Sequence, residues 1–440
     1  MTHPASGAPR PAVARPRRAG FVLRLGSGLC LGLLVAYGLL AAMQIQKAGG
    51  LEPYVRKTDF LSVLTGAAIL VQGRPQQLYD EPAQAAAQAG LLRESGVTPR
   101  YLLYYNHPPF EALISALLWR WGLSAGAIFG VWTGLSLLAI IASLAALHWG
   151  WPVPGPGAPV LTLAAAAFFP LAASLLLGQN SALVLLGWAG GSAALARGYP
   201  GWAGVGFALA TIKPQAMPVI LLALVLGRYG RALATYLGTL ALAVGLTLPI
   251  LGGDWPLRYG TLLVQTAIRP ADPVIDPATM QNWRGLFTQL LGPGLPALEF
   301  TIGATLLTLA GWGLVWWRGG RTPPPPGPIG SGQGAWNDLW ALTLVVALLV
   351  NPHLQLHDLA LALVPGWILG GAAAARADRR RALWLGVGWV LGLLALYRSL
   401  PLTVVWLAGT AGWLGWAAWR PRRGAPGARV APGPGDPPGP

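Results

Sequence analysis

The feature that most constrains this chain is a series of unbroken apolar runs, recurring from Gly26 to Trp419 with short polar junctions between them. Blocks of roughly 18 to 25 residues have the length that crosses a hydrocarbon core of about 30 Å as a helix. In lipid every backbone N–H and C=O must be satisfied internally, which leaves helices or closed barrels. Barrel strands alternate apolar and polar residues, and these runs do not. Only 10% of the 440 residues are charged, less than half of the about 25% usual for soluble domains. The 60 Gly and 40 Pro would point to disorder only in a chain of low hydrophobicity, whereas here 54% of residues are hydrophobic. The expected fold is all-α, a polytopic membrane helical bundle. Soluble-enzyme and collagen-like readings are excluded.

Twelve spans are expected, at about 24–44, 109–121, 124–147, 159–177, 180–196, 201–227, 232–251, 295–317, 338–350, 358–375, 382–397 and 400–419. A net charge of +16 would suggest nucleic acid in a soluble protein; here the basic residues follow the positive-inside rule, and no nucleic-acid partner is expected. An even count puts both termini in the cytoplasm, beside the N-terminal arginines, Arg120, Arg228, Arg231, Arg318 and the Arg376–Arg381 cluster. Arg197 and Arg398 break that pattern. The domain reading is a basic cytoplasmic tail 1–23, a membrane domain 24–419 and a disordered cytoplasmic tail 420–440. Within the membrane domain lie outer loops at about 44–108 and 252–283 and a Pro-rich cytoplasmic linker at 318–335. The run after the N-terminal arginines is read as a retained first helix of the cell (inner) membrane. The single cysteine, Cys30, permits no internal disulfide.

The polar residues gather toward the outer side. Asp59 opens an apolar stretch, Leu61–Val71, too short to span and expected to lie along the interface. Its carboxylate suits either an N-cap or a functional group. Farther on come Tyr79, Asp80, Tyr105 and His107, of which the tyrosines could equally be interfacial anchors. Gln179 and Asn180 form a polar helix junction that serves packing or substrate contact. In Asn351–Asp358, His353, His357 and Asp358 could hold a metal, but no further ligand is evident. Phosphate or hydroxyl recognition by imidazole is the better functional reading, with local hydrogen bonding as the plain alternative. Lys213 lies midway along the sixth span beside Pro214. A cation there costs roughly 2.5–3.5 kcal/mol on insertion scales, so it faces a cavity or partner, or the span is two short pieces and the ammonium snorkels. No P-loop and no Rossmann unit is present.

Taken in order, Lys57–Phe60, GRPQQLYD (73–80), YYNHPPF (104–110), GQNSAL (178–183), GFALATIKPQ (206–215) and NPHLQLHD (351–358) make the chain resemble glycosyltransferase family 87. The resemblance implies a GT-C-like enzyme that transfers a hexose, mannose by analogy, from a polyprenyl-phosphate donor to a glycolipid or polysaccharide hydroxyl on the outer (periplasmic) face. It implies Asp59 as general base in an inverting single displacement, with no cofactor and no metal. Lys213, His353 and His357 become candidates for the donor phosphate. Tyr79, Asp80, Tyr105, His107, Gln179, Asn180 and Asp358 become candidates for substrate binding. The last motif is less rich in Trp and His than in the family's actinobacterial mannosyltransferases. The alternative function is a lipid-linked sugar flippase or other transporter.

Overall fold

The computed structural model describes residues 16–93, 102–153, 155, 157–268, 276–319, 334–376, 378–394 and 402–419. Tyr101, Arg398, the expected tail 420–440, most of the Pro-rich linker and residues 1–15 of the N-terminal tail lie outside them. The described residues hold helices and no strand. In chain order the helices are α1 (Pro16–Ala48), α2 (Leu51–Val55), α3 (Phe60–Val71), α4 (Glu81–Arg93), α5 (Phe110–Arg120), α6 (Ala125–Gly150), α7 (Gly157–Ala166), α8 (Phe169–Leu177), α9 (Ser181–Ala196) and α10 (Pro200–Ala210). They continue as α11 (Pro218–Leu226), α12 (Gly230–Leu251), α13 (Trp255–Ile268), α14 (Trp283–Leu291), α15 (Leu295–Gly319), α16 (Gly334–Val350), α17 (Leu363–Arg376), α18 (Arg379–Leu394) and α19 (Leu402–Trp419). Six helical stretches are long and apolar enough to cross a membrane: Arg24–Ala48, Ala125–Gly150, Gly157–Leu177, Gly230–Leu251, Leu295–Arg318 and Leu356–Ala374. This is a membrane protein, and among the described residues six such stretches are found rather than the twelve expected.

Two of the expected spans are something else. Residues 201–227 break at Lys213–Met217, where Pro214 and Pro218 withdraw backbone donors and a 3-10 turn, Pro214–Ala216, separates α10 from α11. At about 1.5 Å per residue these helices are only about 16 Å and 14 Å long. Lys213 meets Ser181 at the start of α9 and Asp358 beyond the end of α16. Tyr229, after α11, accepts a hydrogen bond on its hydroxyl from Trp336 Nε1, near the start of α16. The chain therefore climbs from one end of the bundle to Lys213 and returns to the same end, as a re-entrant hairpin.

The second is 109–121. Its helix α5 has 11 residues and packs on α3, where a Cβ on Gly66 would sit 3.0 Å from Ala112 Cβ and from the Tyr105 ring. Helix α3 is buried from Phe60 through Leu70 rather than lying along an interface. Arg318 at the end of α15 covers the ring of Trp419 at the end of α19, and Gly26 of α1 approaches Val160 of α7. Arg197 bonds Trp149 O at the end of α6, and Arg120 bonds Leu70 O at the end of α3.

Tight packing holds the hairpin against the core. A Cβ on Gly206 of α10 would lie 2.7 Å from Gly191 N, and one on Gly187 of α9 2.7 Å from Ala210 N. Small residues let helix backbones approach where lipid offers no hydrophobic drive between helices. Three buried indoles of the far half have satisfied N–H groups: Trp340 bonds Ser192 Oγ, and Trp312 and Trp316 share Thr343 Oγ1, whereas the buried Trp188 Nε1 of the same core finds no partner among the described residues. In a Cys30→Ala background, Tyr199→Cys and Arg228→Cys are expected to react with an impermeant maleimide from the same side of sealed vesicles. Labelling from opposite sides would restore a single crossing.

Candidate active site

A cavity of about 760 Å³ opens where the hairpin tip meets the layer of α3 and α5. Its wall contains Asp59, His107, Gln179, Lys213, Arg284, His353, Gln355, His357 and Asp358, with Leu103, Leu177, Ile212, Leu263 and Leu356 as an apolar side. Residues up to 299 positions apart in sequence, from Asp59 to Asp358, thus line one chamber.

The floor is a buried ion pair. Lys213 Nζ donates to Asp358 Oδ1 and, at 3.1 Å, to Ser181 Oγ, and Ser181 Oγ donates to the same Oδ1 at 2.7 Å. Asp358 Oδ2 accepts from Gln355 N at 3.3 Å, closing a capping box on the 3-10 turn Leu356–Ala362. Lys213 is therefore neither snorkelling nor free. It sits in a break between two short helices, as the plainer reading had it, yet is buried and neutralised. Asp358 is spent on holding it.

Asp59 precedes α3 but makes no side-chain cap. Instead Gln179 Nε2 donates to its Oδ2 at 2.7 Å, leaving Oδ1 toward the chamber with no hydrogen-bond partner among the described residues. The turn that delivers Gln179 needs Gly178: its φ of 68° is left-handed, and a Cβ there would lie 2.7 Å from Phe60 Cβ. Only glycine fits both conditions. The next residue, Asn180, donates to Glu111 Oε1 at 2.6 Å, and Glu111 Oε2 lies 2.8 Å from His107 Nδ1.

Cations decide what the chamber can bind. Desolvation in the wall, with Lys213, His357 and Arg284 adding to it against the pull of Asp358, pushes His353 down to about 4. That imidazole is neutral at pH 7. Lys213 is already matched by Asp358. Arg284, on α14, has no carboxylate within ion-pair distance among the described residues, so it is the uncompensated cation at the wall.

Four expected site residues do not line the chamber. Tyr79 donates to His107 O at 3.1 Å and stacks on Tyr105 and Trp255. Asp80 caps α4 through Ala83 N at 2.8 Å. Tyr105 is wholly buried, clasped through its backbone by Gln84 and through its hydroxyl by Pro108 O. Asn180 is likewise buried, behind Glu111. They shape the wall from behind. Sequence reading missed Glu111, Ser181 and Arg284. A carboxylate four residues after His107, in a helix's first turn, was the available sign for Glu111; Arg284 carried none. Among the described residues no group of three or more His, Cys, Asp or Glu is arranged to hold a metal ion.

The family model for glycosyltransferase family 87 matches residues 105–352, more than half of the chain. The chain belongs to glycosyltransferase family 87. It is a membrane glycosyltransferase, and the chamber carries His107, Gln179 and Lys213 from within the matched region together with Asp59 and the 353–358 turn from outside it. No curated protein and no solved structure matches it.

Removing one partner of a buried pair costs about 3–5 kcal/mol, whereas replacing both with apolar groups is often neutral. Lys213→Met is therefore expected to lower the thermal midpoint of the purified protein in detergent sharply. The double variant Lys213→Met with Asp358→Leu should recover most of that loss, and equal losses in the two would show that the pair contributes nothing.

Proposed function

We propose that the chamber transfers a hexose from a polyprenyl-phosphate donor to an acceptor hydroxyl by inverting single displacement, with Asp59 as general base. The observation that carries this reading is that Asp59 lines the chamber with one carboxylate oxygen that has no hydrogen-bond partner among the described residues, in a wall that also carries Arg284, Lys213 and His357. An attacking hydroxyl must lose its proton as it bonds to C1, and a carboxylate within hydrogen-bond reach supplies the base. Gln179 holds Asp59 without protonating it, so the carboxylate stays oriented and available.

The leaving group is a lipid phosphate whose developing charge needs a fixed positive partner. Arg284 fills that role best, since a guanidinium can present two parallel donors to a phosphate. Lys213 and His357 flank it, and neutral His353 contributes hydrogen bonding rather than charge. The apolar side of the chamber suits the first isoprene units. Helix α13 supports a lipid route, because Leu263 and Thr266 face the chamber while Leu257 and Val264 are exposed on its other face. The hexose is assigned as mannose by analogy with the family's mannosyltransferases, with a glycolipid or polysaccharide acceptor on the outer face of the cell membrane.

The test is transfer of radiolabel in proteoliposomes from polyprenyl-phosphate mannose and, separately, polyprenyl-phosphate glucose to a membrane lipid extract. Asp59→Asn is expected to reduce turnover by about 10²–10⁴-fold while donor lipid still binds. Arg284→Ala is expected to weaken donor binding, with Arg284→Lys restoring part of it. Full activity in Asp59→Asn would remove the general base from this account.

A further inference from the structure

Behind the chamber wall lies a second carboxylate system that the displacement does not use, and it reaches the chamber through His107. Glu111 is 2% exposed and Asn180 1%. Asn180 Nδ2 donates to Glu111 Oε1, and Glu111 Oε2 engages His107 Nδ1. The imidazole faces the chamber, with its side chain 16% exposed, and Nε2 has no hydrogen-bond partner among the described residues.

We infer that His107 reads a substrate hydroxyl through Nε2, and that Glu111 is a positioning residue, anchored by Asn180, that fixes the tautomer required. An ionised carboxylate only accepts, so the proton of the neutral ring resides on Nδ1 and Nε2 keeps its lone pair. Such a ring accepts from a hydroxyl. The loop gives it little freedom: Tyr79 holds His107 O, the Tyr105 ring lies edge-on to the imidazole, and Pro108 and Pro109 lead directly into α5. The groups that face it are Glu111, Tyr79 and Tyr105 from its own layer and His357 across the chamber.

The anchors of this system and of the proposed base are consecutive. Gln179 holds Asp59, and Asn180 holds Glu111. One turn therefore sets the proposed base and the proposed reader in fixed relation. A site built to hydrogen-bond a hydroxyl discriminates strongly against an analogue without it. The hydroxyl belongs to the transferred sugar or to the acceptor, and this assignment rests on the glycosyl-transfer reading of the chamber.

The test begins with a readout independent of turnover. The chain has five histidines, so ¹⁵N-histidine labelling of the full-length protein in bilayers, with His107→Gln to identify the signal, reports the ring at pH 8. The expected wild-type state carries its proton on Nδ1, and the Nε2 resonance moves on addition of undecaprenyl-phosphate mannose or of the lipid-extract acceptor, whichever supplies the hydroxyl. Glu111→Gln must place its NH2 against either Asn180 or His107, and it is expected to change the tautomer and lower kcat/KM about 10- to 100-fold, mainly through KM for that substrate. Adding Asn180→Asp to Glu111→Gln restores an acceptor for that NH2 and should recover both signals. A wild-type proton on Nε2, or a tautomer indifferent to Glu111→Gln, overturns the inference. Loss of the glycosyl-transfer reading alone is distinguishable: no transfer is detected, while the tautomer and its response to the mannolipid persist and still support a hydroxyl-reading imidazole.

Discussion

An ammonium group buried within a helical bundle needs a partner, and the arrangement of the chamber follows from how this chain provides one. Lys213 reaches Asp358 and Ser181, joining the hairpin tip, the start of α9 and the turn after α16. These segments have no local reason to meet. The pair repays its desolvation only with good geometry and extra hydrogen bonds, and both are present, since each Asp358 oxygen accepts at least one bond. The proline-broken backbone between α10 and α11 makes this possible by ending two helices inside the bundle. Irregular backbone at such depth is tolerated only where protein or a cavity surrounds it.

From that floor the walls follow. The Gly178 turn points two consecutive amides at two carboxylates, and the layer of α3 and α5 supplies those carboxylates. One carboxylate keeps an oxygen free toward the chamber, and the other is fully engaged in orienting an imidazole. Asp59 on the chamber wall and Glu111 behind it thus have different settings, fixed by their partners rather than by residue type. Charge is treated in the same way: the lysine is matched, His353 is kept neutral, and the guanidinium of Arg284 has no carboxylate partner among the described residues.

Much of this was legible in the sequence because a greasy chain makes its polar residues conspicuous. Asp59, His107, Gln179, Lys213, His353, His357 and Asp358 all reach the one chamber, and each stood out against apolar surroundings. The number of spans was less legible. Hydropathy counts apolar residues and does not register that 201–227 turns back at Pro214, or that 109–121 forms only an 11-residue helix with one face packed on α3. Pairing was also hidden: nothing local in Lys213 or Asp358 tells that each answers the other across 145 residues. Arg284 was overlooked because it sits in a short amphipathic helix after a loop, where an arginine is ordinary. Tyr79, Asp80 and Tyr105 were conspicuous for a different reason, as the stacked and capped back of the wall.

The most direct measurement is a structure of the protein in nanodiscs with a non-transferable phosphonate analogue of undecaprenyl-phosphate mannose. The phosphonate is expected against Arg284, the first isoprene units along Leu263 and Ile212, and the anomeric carbon facing the Oδ1 of Asp59. Density for the analogue outside this chamber, or seated within it with the anomeric carbon turned away from Asp59, would contradict the account.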